Sequence, residues 1–386
     1  MITRLKFEID PVITELLDSV PIEIWESKVT TFADFSMAGG QFINQTTLKL
    51  RNHGHSDVNI KSRVFGYAEY EMYLSYVLGH IDLIGTFAVY DEEKIKNMTF
   101  DVIMGNPPFQ QAHASGGVQP KSHNLWSRMI KKSFDQLNNN GYLVFITPSS
   151  WGSPSNKIFK LFKRNNLLYM NTDINDYFPN INSTFSSWVV EKSREYVSTN
   201  LNGESVDLTN ADYFTNDISR TSLSIHDKVM WNSHPTYDWI GDTTSNHSSD
   251  SKEDGKWNDI ETETHSYQVF HTNAQRYYST VASKYHCDYK IMVTISGYYK
   301  PFIDSGNTSP SEIVLMIITN EAEADNLLSV LTSKLYNYIV SSAKWSGFLT
   351  KDVLRNLPKL DTSRRWTNTD IYNEFELSED EIKYIE

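Results

Sequence analysis

Four consecutive residues, Asn106, Pro107, Pro108 and Phe109, follow a short apolar run, FDVIMG, that ends in glycine. An apolar run of this length bounded by a turn reads as a buried central strand of a parallel sheet, with the polar group just beyond its carboxyl end. In open α/β sheets, ligands bind at that edge. The chemistry that uses these residue types is methyl transfer to a planar exocyclic amine. Such a nitrogen delocalises its lone pair into a ring and attacks poorly until acceptors hold its N–H groups and favour a pyramidal geometry. The side-chain oxygen of Asn106 and the carbonyl of Pro107 supply two acceptors, and the prolines stiffen the turn. Phe109 offers a flat face for an extruded base. Average composition puts Asn-Pro-Pro-(Phe/Tyr) at about one position in 10⁵, so chance is a weak explanation in a chain of 386 residues. A plain strand-to-loop turn is the competing reading.

The elements that must position this tetrad are legible on both sides of it. Asp10 and Pro11 open a helix over VITELLDSV, with Asp10 as the cap and Pro11 at the first helical position. Residues 29–35, VTTFADF, read as a first strand running through the turn SMAGGQF into a helix. Residues 63–66, RVFG, read as a second strand, and Glu69 follows it. An acid there binds ribose hydroxyls in many doubly wound folds; the alternative is a solvated glutamate opening a helix. A third strand, 83–89, and the acidic loop DEEKIKN precede the tetrad strand, a succession that builds a parallel sheet. Beyond the tetrad come a polar loop at 110–122, a helix over LWSRMIKKSFDQL, and strands at 141–147, 168–174 and 185–191. Residues 196–263 are rich in Ser, Thr, Asn and Asp and mark a domain transition. In the last third, IMVTISGYYKPFI and EIVLMIIT read as strands, while ADNLLSVLTSKLYNYIVSSA and ELSEDEIKYIE read as helices.

At 386 residues, 39% hydrophobic and 22% charged, the chain fits two globular domains. No stretch approaches the apolar length of a membrane span, and the N-terminus lacks a signal-peptide core, which implies a cytoplasmic protein. Cys287 is the single cysteine, read as a small core residue, so an internal disulfide is excluded. The eleven histidines show no metal-ligand spacing, and no metal is expected. The net charge of −13 argues against nucleic acid only as a sum. Residues 1–196 carry 19 basic and 20 acidic side chains, 241–263 carry two and seven, and 370–386 carry one and seven. Residues 264–369 carry eleven basic and eight acidic side chains, a mildly positive stretch in which Arg276, Lys300, Lys344 and Arg355 are candidate phosphate contacts.

This constellation resembles the amino-methylating DNA methyltransferases of restriction-modification systems, specifically adenine-N6 enzymes with the cofactor region first, the tetrad next and the target-recognition region last. DFSMAGGQF, from Asp34 to Phe42, resembles the family's D-P-x-x-G-x-G-x-F cofactor loop. It departs at Phe35 and Ala38, which replace a proline and a glycine, and matches at Gly40 and Phe42. TFSSWVVEK resembles the late motif whose aromatic packs on the flipped base, and SKLYNYIVSSAKWSGFLTKDVLRNLPKLD is similar to target-recognition regions.

The resemblance implies an α/β protein: a Rossmann-like class I methyltransferase domain with a C-terminal α+β target-recognition domain. Residues 1–196 would bind S-adenosylmethionine, 197–263 would form a transition segment, and 264–386 would recognise double-stranded DNA. It implies cofactor contacts from Asp34, Ser36, Ala38, Gly40 and Phe42, a ribose contact from Glu69, and stacking of Phe87 on the cofactor adenine. Asn106, Pro107, Pro108 and Phe109 would be catalytic, with Phe109 and Phe185 stacking on the target base. The implied reaction is direct methylation of adenine N6 at a specific site, with a separate restriction endonuclease as a potential partner. Two rivals stand beside it: a catalytically silent DNA-binding specificity subunit, which the altered cofactor loop favours, and a methyltransferase acting on RNA guanine N2 or a protein amide. Cytosine N4 enzymes more often carry serine at position 106, and a cytosine C5 enzyme would need a Pro-Cys nucleophile that is absent here.

Overall fold

Phe32, Ala33 and Asp34 form a strand, β1, that is buried along its whole length. The computed structural model describes residues 9–80, 82–108, 125–178, 184–195, 197–242 and 245–386. Phe109 and the loop at 110–122 lie outside the described residues. The chain divides into two compact units, one of residues 1–151 and 156–209, the other of 152–155 and 210–386.

In the first unit β1 is joined by β2 (Val64–Ala68), β3 (Thr86–Val89), β4 (Phe100–Gly105), β5 (Leu137–Pro148), β6 (Asn166–Asn171), β7 (Phe185–Glu191), β8 (Thr199–Leu201) and β9 (Glu204–Val206). They make one sheet in the order β3-β2-β1-β4-β5-β7-β6-β8-β9. Strands β1 to β5 are parallel, and β7 runs antiparallel between β5 and β6. Its helices are α1 (Pro11–Asp18), α2 (Ile22–Glu26), α3 (Gln41–Asn52), α4 (Asp57–Lys61), α5 (Glu71–His80), α6 (Glu92–Ile95), α7 (Leu125–Asp135) and α8 (Lys157–Lys163). Val102 and Met104 of β4 share a core with Ile13, Leu16, Phe42 and Ile43 from α1 and α3. Ile103 between them is equally buried on the opposite face, so the run is apolar on both sides, as a central parallel strand requires.

Local chemistry explains where the observed elements depart from the expected ones. The first strand begins at Phe32 because the Asp101 carboxylate takes the Thr31 N–H at 2.8 Å and its hydroxyl at 2.9 Å, in place of a ladder partner. The acidic loop before β4 contains α6, a single turn whose first N–H groups donate to Asp91 at 3.1 and 3.4 Å. Asp10 caps α1 as expected, accepting from Val12 and Ile13 at 3.0 and 3.1 Å. Residues 197–263 are not a separate transition segment. β8 and β9 extend the first sheet through pairing of β8 with β6, and the rest belongs to the second unit, where Phe214, Ile225 and Val229 are buried.

The second unit holds two four-stranded sheets, built from β10 (Ile240–Gly241), β11 (Trp257–Asn258), β12 (Tyr267–Thr272), β13 (Gln275–Ser279), β14 (Tyr289–Thr294), β15 (Phe302–Ser305), β16 (Ser309–Pro310) and β17 (Val314–Ile318). Their orders are β10-β17-β14-β15 and β11-β13-β12-β16. Its helices are α9 (Arg220–His226), α10 (Ser248–Glu253), α11 (Glu321–Leu331), α12 (Lys334–Ser342), α13 (Lys351–Arg355), α14 (Asn368–Glu374) and α15 (Glu379–Ile385). The long helical run expected over 324–343 is broken at Ser333, whose hydroxyl accepts the Tyr336 N–H and starts α12. Cys287 is exposed, not a core residue; it sits in the turn leading into β14, where its carbonyl would lie 2.6 Å from a Cβ added at Gly306.

Candidate active site

The chain leaves β1 toward β2 and β3 on one side, then crosses to β4 on the other, so the sheet switches direction between the carboxyl ends of β1 and β4. That crevice is where open α/β sheets take ligands. Asp34 ends β1 and is 3% exposed; its Oδ1 accepts the Ser36 N–H at 2.8 Å and the Ser36 hydroxyl at 3.4 Å. Burial pushes the Asp34 carboxyl up to about 7, although both Ser36 donors pull it down. Gly105 ends β4. A Cβ there would lie 2.6 Å from Ser36 Oγ and 2.9 Å from Asp34 Oδ1, so only glycine lets the two strand ends close on each other.

Asn106 follows directly. Its Oδ1 is buried and has no hydrogen-bond partner among the described residues. Leaving an acceptor buried and unpaired costs about 1–3 kcal/mol. Ten other buried side-chain atoms among the described residues also lack a partner, and what distinguishes Asn106 is its place in the cleft at the strand switch. Asn106 and Pro108 line a cleft of about 380 Å³; Pro107 is buried behind them. The turn after β1 supplies Phe35, Ser36, Met37 and Ala38 to one wall, and Glu69 and Tyr73 come from the end of β2 and from α5. Tyr90, just past β3, and Leu125, Arg128, Met129 and Lys132 of α7 complete it. Lys132 is paired with Glu92.

The cleft therefore gathers Ser36, Ala38, Glu69, Asn106 and Pro108 of the residues singled out from sequence, with Asp34 bonded to Ser36 behind its wall. Others are placed elsewhere. Gly40 caps α3 with φ of +76°, a conformation that favours glycine, and a Cβ there would meet Leu83 at 2.8 Å. Phe42 is buried in the α3 core. Phe87 packs over Gly66, 2.9 Å from the position of an added Cβ, and does not line the cleft. Phe185 is 1% exposed, its ring stacked on Phe178 at 4.1 Å between centroids. It packs the core instead of presenting a face to a base, because β7 lies between β5 and β6 inside the sheet.

Sequence reasoning missed Tyr73, Tyr90, Arg128, Met129 and Lys132, and gave Phe35 no role beyond a departure from a pattern. For α7 a signal was present: Leu125, Arg128, Met129 and Lys132 fall at i, i+3, i+4 and i+7, one helical face. The donor set fits a nucleoside-bearing cofactor, with the carboxylate of Glu69 past β2, aromatic rings from Phe35, Tyr73 and Tyr90, and the Asn106 acceptor, unpaired among the described residues, in the same cleft. Among the described residues no cluster of His, Cys, Asp or Glu is arranged to hold a metal ion, and no helix is long and apolar enough to cross a membrane.

The order of β1 to β7, six parallel strands and one reversed, is that of the class I S-adenosylmethionine-dependent methyltransferase fold. Residues 37–179 match the family model described as Eco57I restriction-modification methylase. No curated protein matches the chain. Among solved structures, the ATP-dependent Type ISP restriction-modification enzyme LlaBIII bound to DNA is similar in fold over 92% of this chain and 38% of its own, with a TM-score of 0.50 and 10% identity. A DrdV–DNA complex is similar over 79% of this chain and 48% of its own, with a TM-score of 0.40 and 10% identity. The EcoKI M protein of a type I restriction enzyme is similar over 49% of this chain and 44% of its own, with a TM-score of 0.36 and 13% identity. The chain thus spans less than half the length of each of these three.

Proposed function

We propose that the chain is a site-specific DNA methyltransferase that transfers a methyl group from S-adenosylmethionine to adenine N6. The observation that carries this reading is the buried, unpaired Oδ1 of Asn106 at the strand switch. An exocyclic amine of an extruded base would donate one N–H to that oxygen and the other to the Pro107 carbonyl. Both bonds draw the nitrogen lone pair out of the ring and toward attack. Phe109 would stack on the base and hold its plane. Glu69 would accept from ribose hydroxyls of the cofactor, while Ser36, Ala38, Phe35 and Tyr90 enclose the remainder. S-adenosylmethionine supplies an electrophilic methyl group on a sulfonium. No strong base is needed, since the amine loses its proton readily once it has become cationic. The reading implies double-stranded DNA as substrate and a cytoplasmic site of action, and it leaves room for a separate restriction endonuclease as partner.

Incubation with labelled S-adenosylmethionine and unmethylated bacterial DNA, followed by nucleoside digestion, tests this. N6-methyladenine from the native chain that vanishes in Asn106→Ala is the expected result. Cofactor binding without incorporation into DNA would overturn it.

A further inference from the structure

Within the second unit, three loops converge on one exposed aromatic ring. Tyr298 is 86% exposed and follows Gly297, which turns the chain with φ of +84°. Single exposed aromatics are ordinary on protein surfaces. This one differs in how firmly its backbone is held. The Gly297 N–H donates to the Gly347 carbonyl at 3.1 Å and the Leu349 N–H to the Ile295 carbonyl at 2.7 Å. The Asn273 side-chain amide donates to the Tyr298 carbonyl at 2.9 Å, and the Lys344 ammonium to the Gly297 carbonyl at 2.5 Å. Trp345 fixes the third loop through its indole N–H, which donates to the Phe214 carbonyl at 2.9 Å. An exposed ring on a loop already ordered loses little entropy when something stacks on it.

The three loop segments carry charge of one sign. Residues 272–276, 296–300 and 344–348 contain the basic side chains Arg276, Lys300 and Lys344 and no acid, in a chain of net charge −13. Lys344 Nζ lies 5.4 Å from the Tyr298 ring centroid, and the Arg276 guanidinium is held over Phe270 at 4.0 Å. Phe348, 56% exposed, pairs through its backbone with Ser296 beside Gly297. Exposed rings on firmly held loop segments that carry cations and no acid match a polyanion with flat stackable groups.

We infer that this face contacts duplex DNA, with Tyr298 stacking on a base at an opened step and Lys300 meeting an adjacent phosphate. The inference rests on the DNA-methyltransferase reading for its choice of partner. Binding of the full chain to fluorescein-labelled mixed-sequence duplex DNA, followed by anisotropy at several salt concentrations, tests it. Tyr298→Ala should bind about tenfold more weakly, with unchanged affinity for S-adenosylmethionine and unchanged melting temperature, and Tyr298→Trp should restore binding. Lys300→Gln should lower the slope of log affinity against log salt by about 1. Native affinity in Tyr298→Ala, no restoration by Tyr298→Trp, no duplex binding by the native chain, or a preference for mixed-sequence RNA would each overturn the inference. Duplex binding that depends on Tyr298 without any methyl incorporation would keep the surface and remove the methyltransferase reading. Incorporation that is indifferent to Tyr298 would do the reverse.

Discussion

Asp34 in the first unit and His226 in the second are both buried titratable side chains, and they are treated in opposite ways. His226 is fully enclosed but bridged on both ring nitrogens, with Tyr213 Oη at 2.9 Å from Nδ1 and Ser342 Oγ at 2.8 Å from Nε2. Lys290 and Asp304, also in the second unit, form a buried pair at 2.5 Å, and Lys290 further donates to the carbonyls of Asp288 at 2.9 Å and His286 at 3.2 Å. Among the described residues, the Asp34 carboxylate has only Ser36 as hydrogen-bond donor and Asn106 Oδ1 has none. Buried polarity that is fully paired specifies a core. Buried polarity left open at a strand switch lies where open α/β sheets take ligands.

Breaking the two kinds of site should therefore give opposite signatures. Asn106→Ala should reduce methyl transfer by about 10²–10³-fold, the scale of losing one preorganised group at the reacting centre. The same variant should leave stability unchanged or slightly raised, because it removes an acceptor that was paying a desolvation cost. Initial rates and urea unfolding of one preparation check both halves. Lys290→Met strands the Asp304 carboxylate in the core and should destabilise the second unit by about 3–5 kcal/mol, with much of that recovered in Lys290→Met/Asp304→Leu. Hydrogen exchange of β14 and β15 amides reads that loss locally. A loss confined to the first unit would contradict the comparison.

The two titrating groups sharpen it further through pH. Asp34 has a folded value of about 7 against 3.8 unfolded, so the native state binds the extra proton between them. Its contribution to stability is full below pH 3.8 and is lost as pH rises toward 7, at up to about 1.4 kcal/mol per pH unit. His226 is pushed down to about 3 by burial, against 6.5 unfolded. Its contribution is full above pH 6.5 and is lost as pH falls toward 3, with the same limiting slope. Exchange protection of first-unit amides should thus lose its fall with rising pH in Asp34→Asn. Protection in the second unit should lose its fall with decreasing pH in His226→Gln. Equal slopes in both units would show that the two groups do not act locally.

How far these features could be read beforehand depended on how local their causes are. The β4 strand and the tetrad after it were legible because an apolar run and a proline-stiffened turn are properties of neighbouring residues. Glu69 and Ser36 were singled out from their places after the first two strands, although β2 runs on to Ala68 and β1 stops at Asp34, two residues and one residue off the expected ends. Phe185 and Phe87 were misread because an aromatic beside a strand end looks the same in sequence whether it faces a cleft or the core. The face of α7 in the cleft was hidden for another reason: its spacing showed an amphipathic helix without showing what either side would meet.

The sequence alone determined the alternation of strands and helices up to β5, the tetrad, the cap of α1 and the presence of a distinct C-terminal part. These follow from backbone preference and apolar periodicity over a few residues. Tertiary structure alone decided that β7 inserts antiparallel between β5 and β6, that β14 pairs with β17 across more than a dozen intervening residues, and that Gly105 brings Asp34 and Ser36 against the turn bearing Asn106. Those outcomes depend on burial and pairing between segments far apart in the chain, where the energy of each contact exists only once the others have formed.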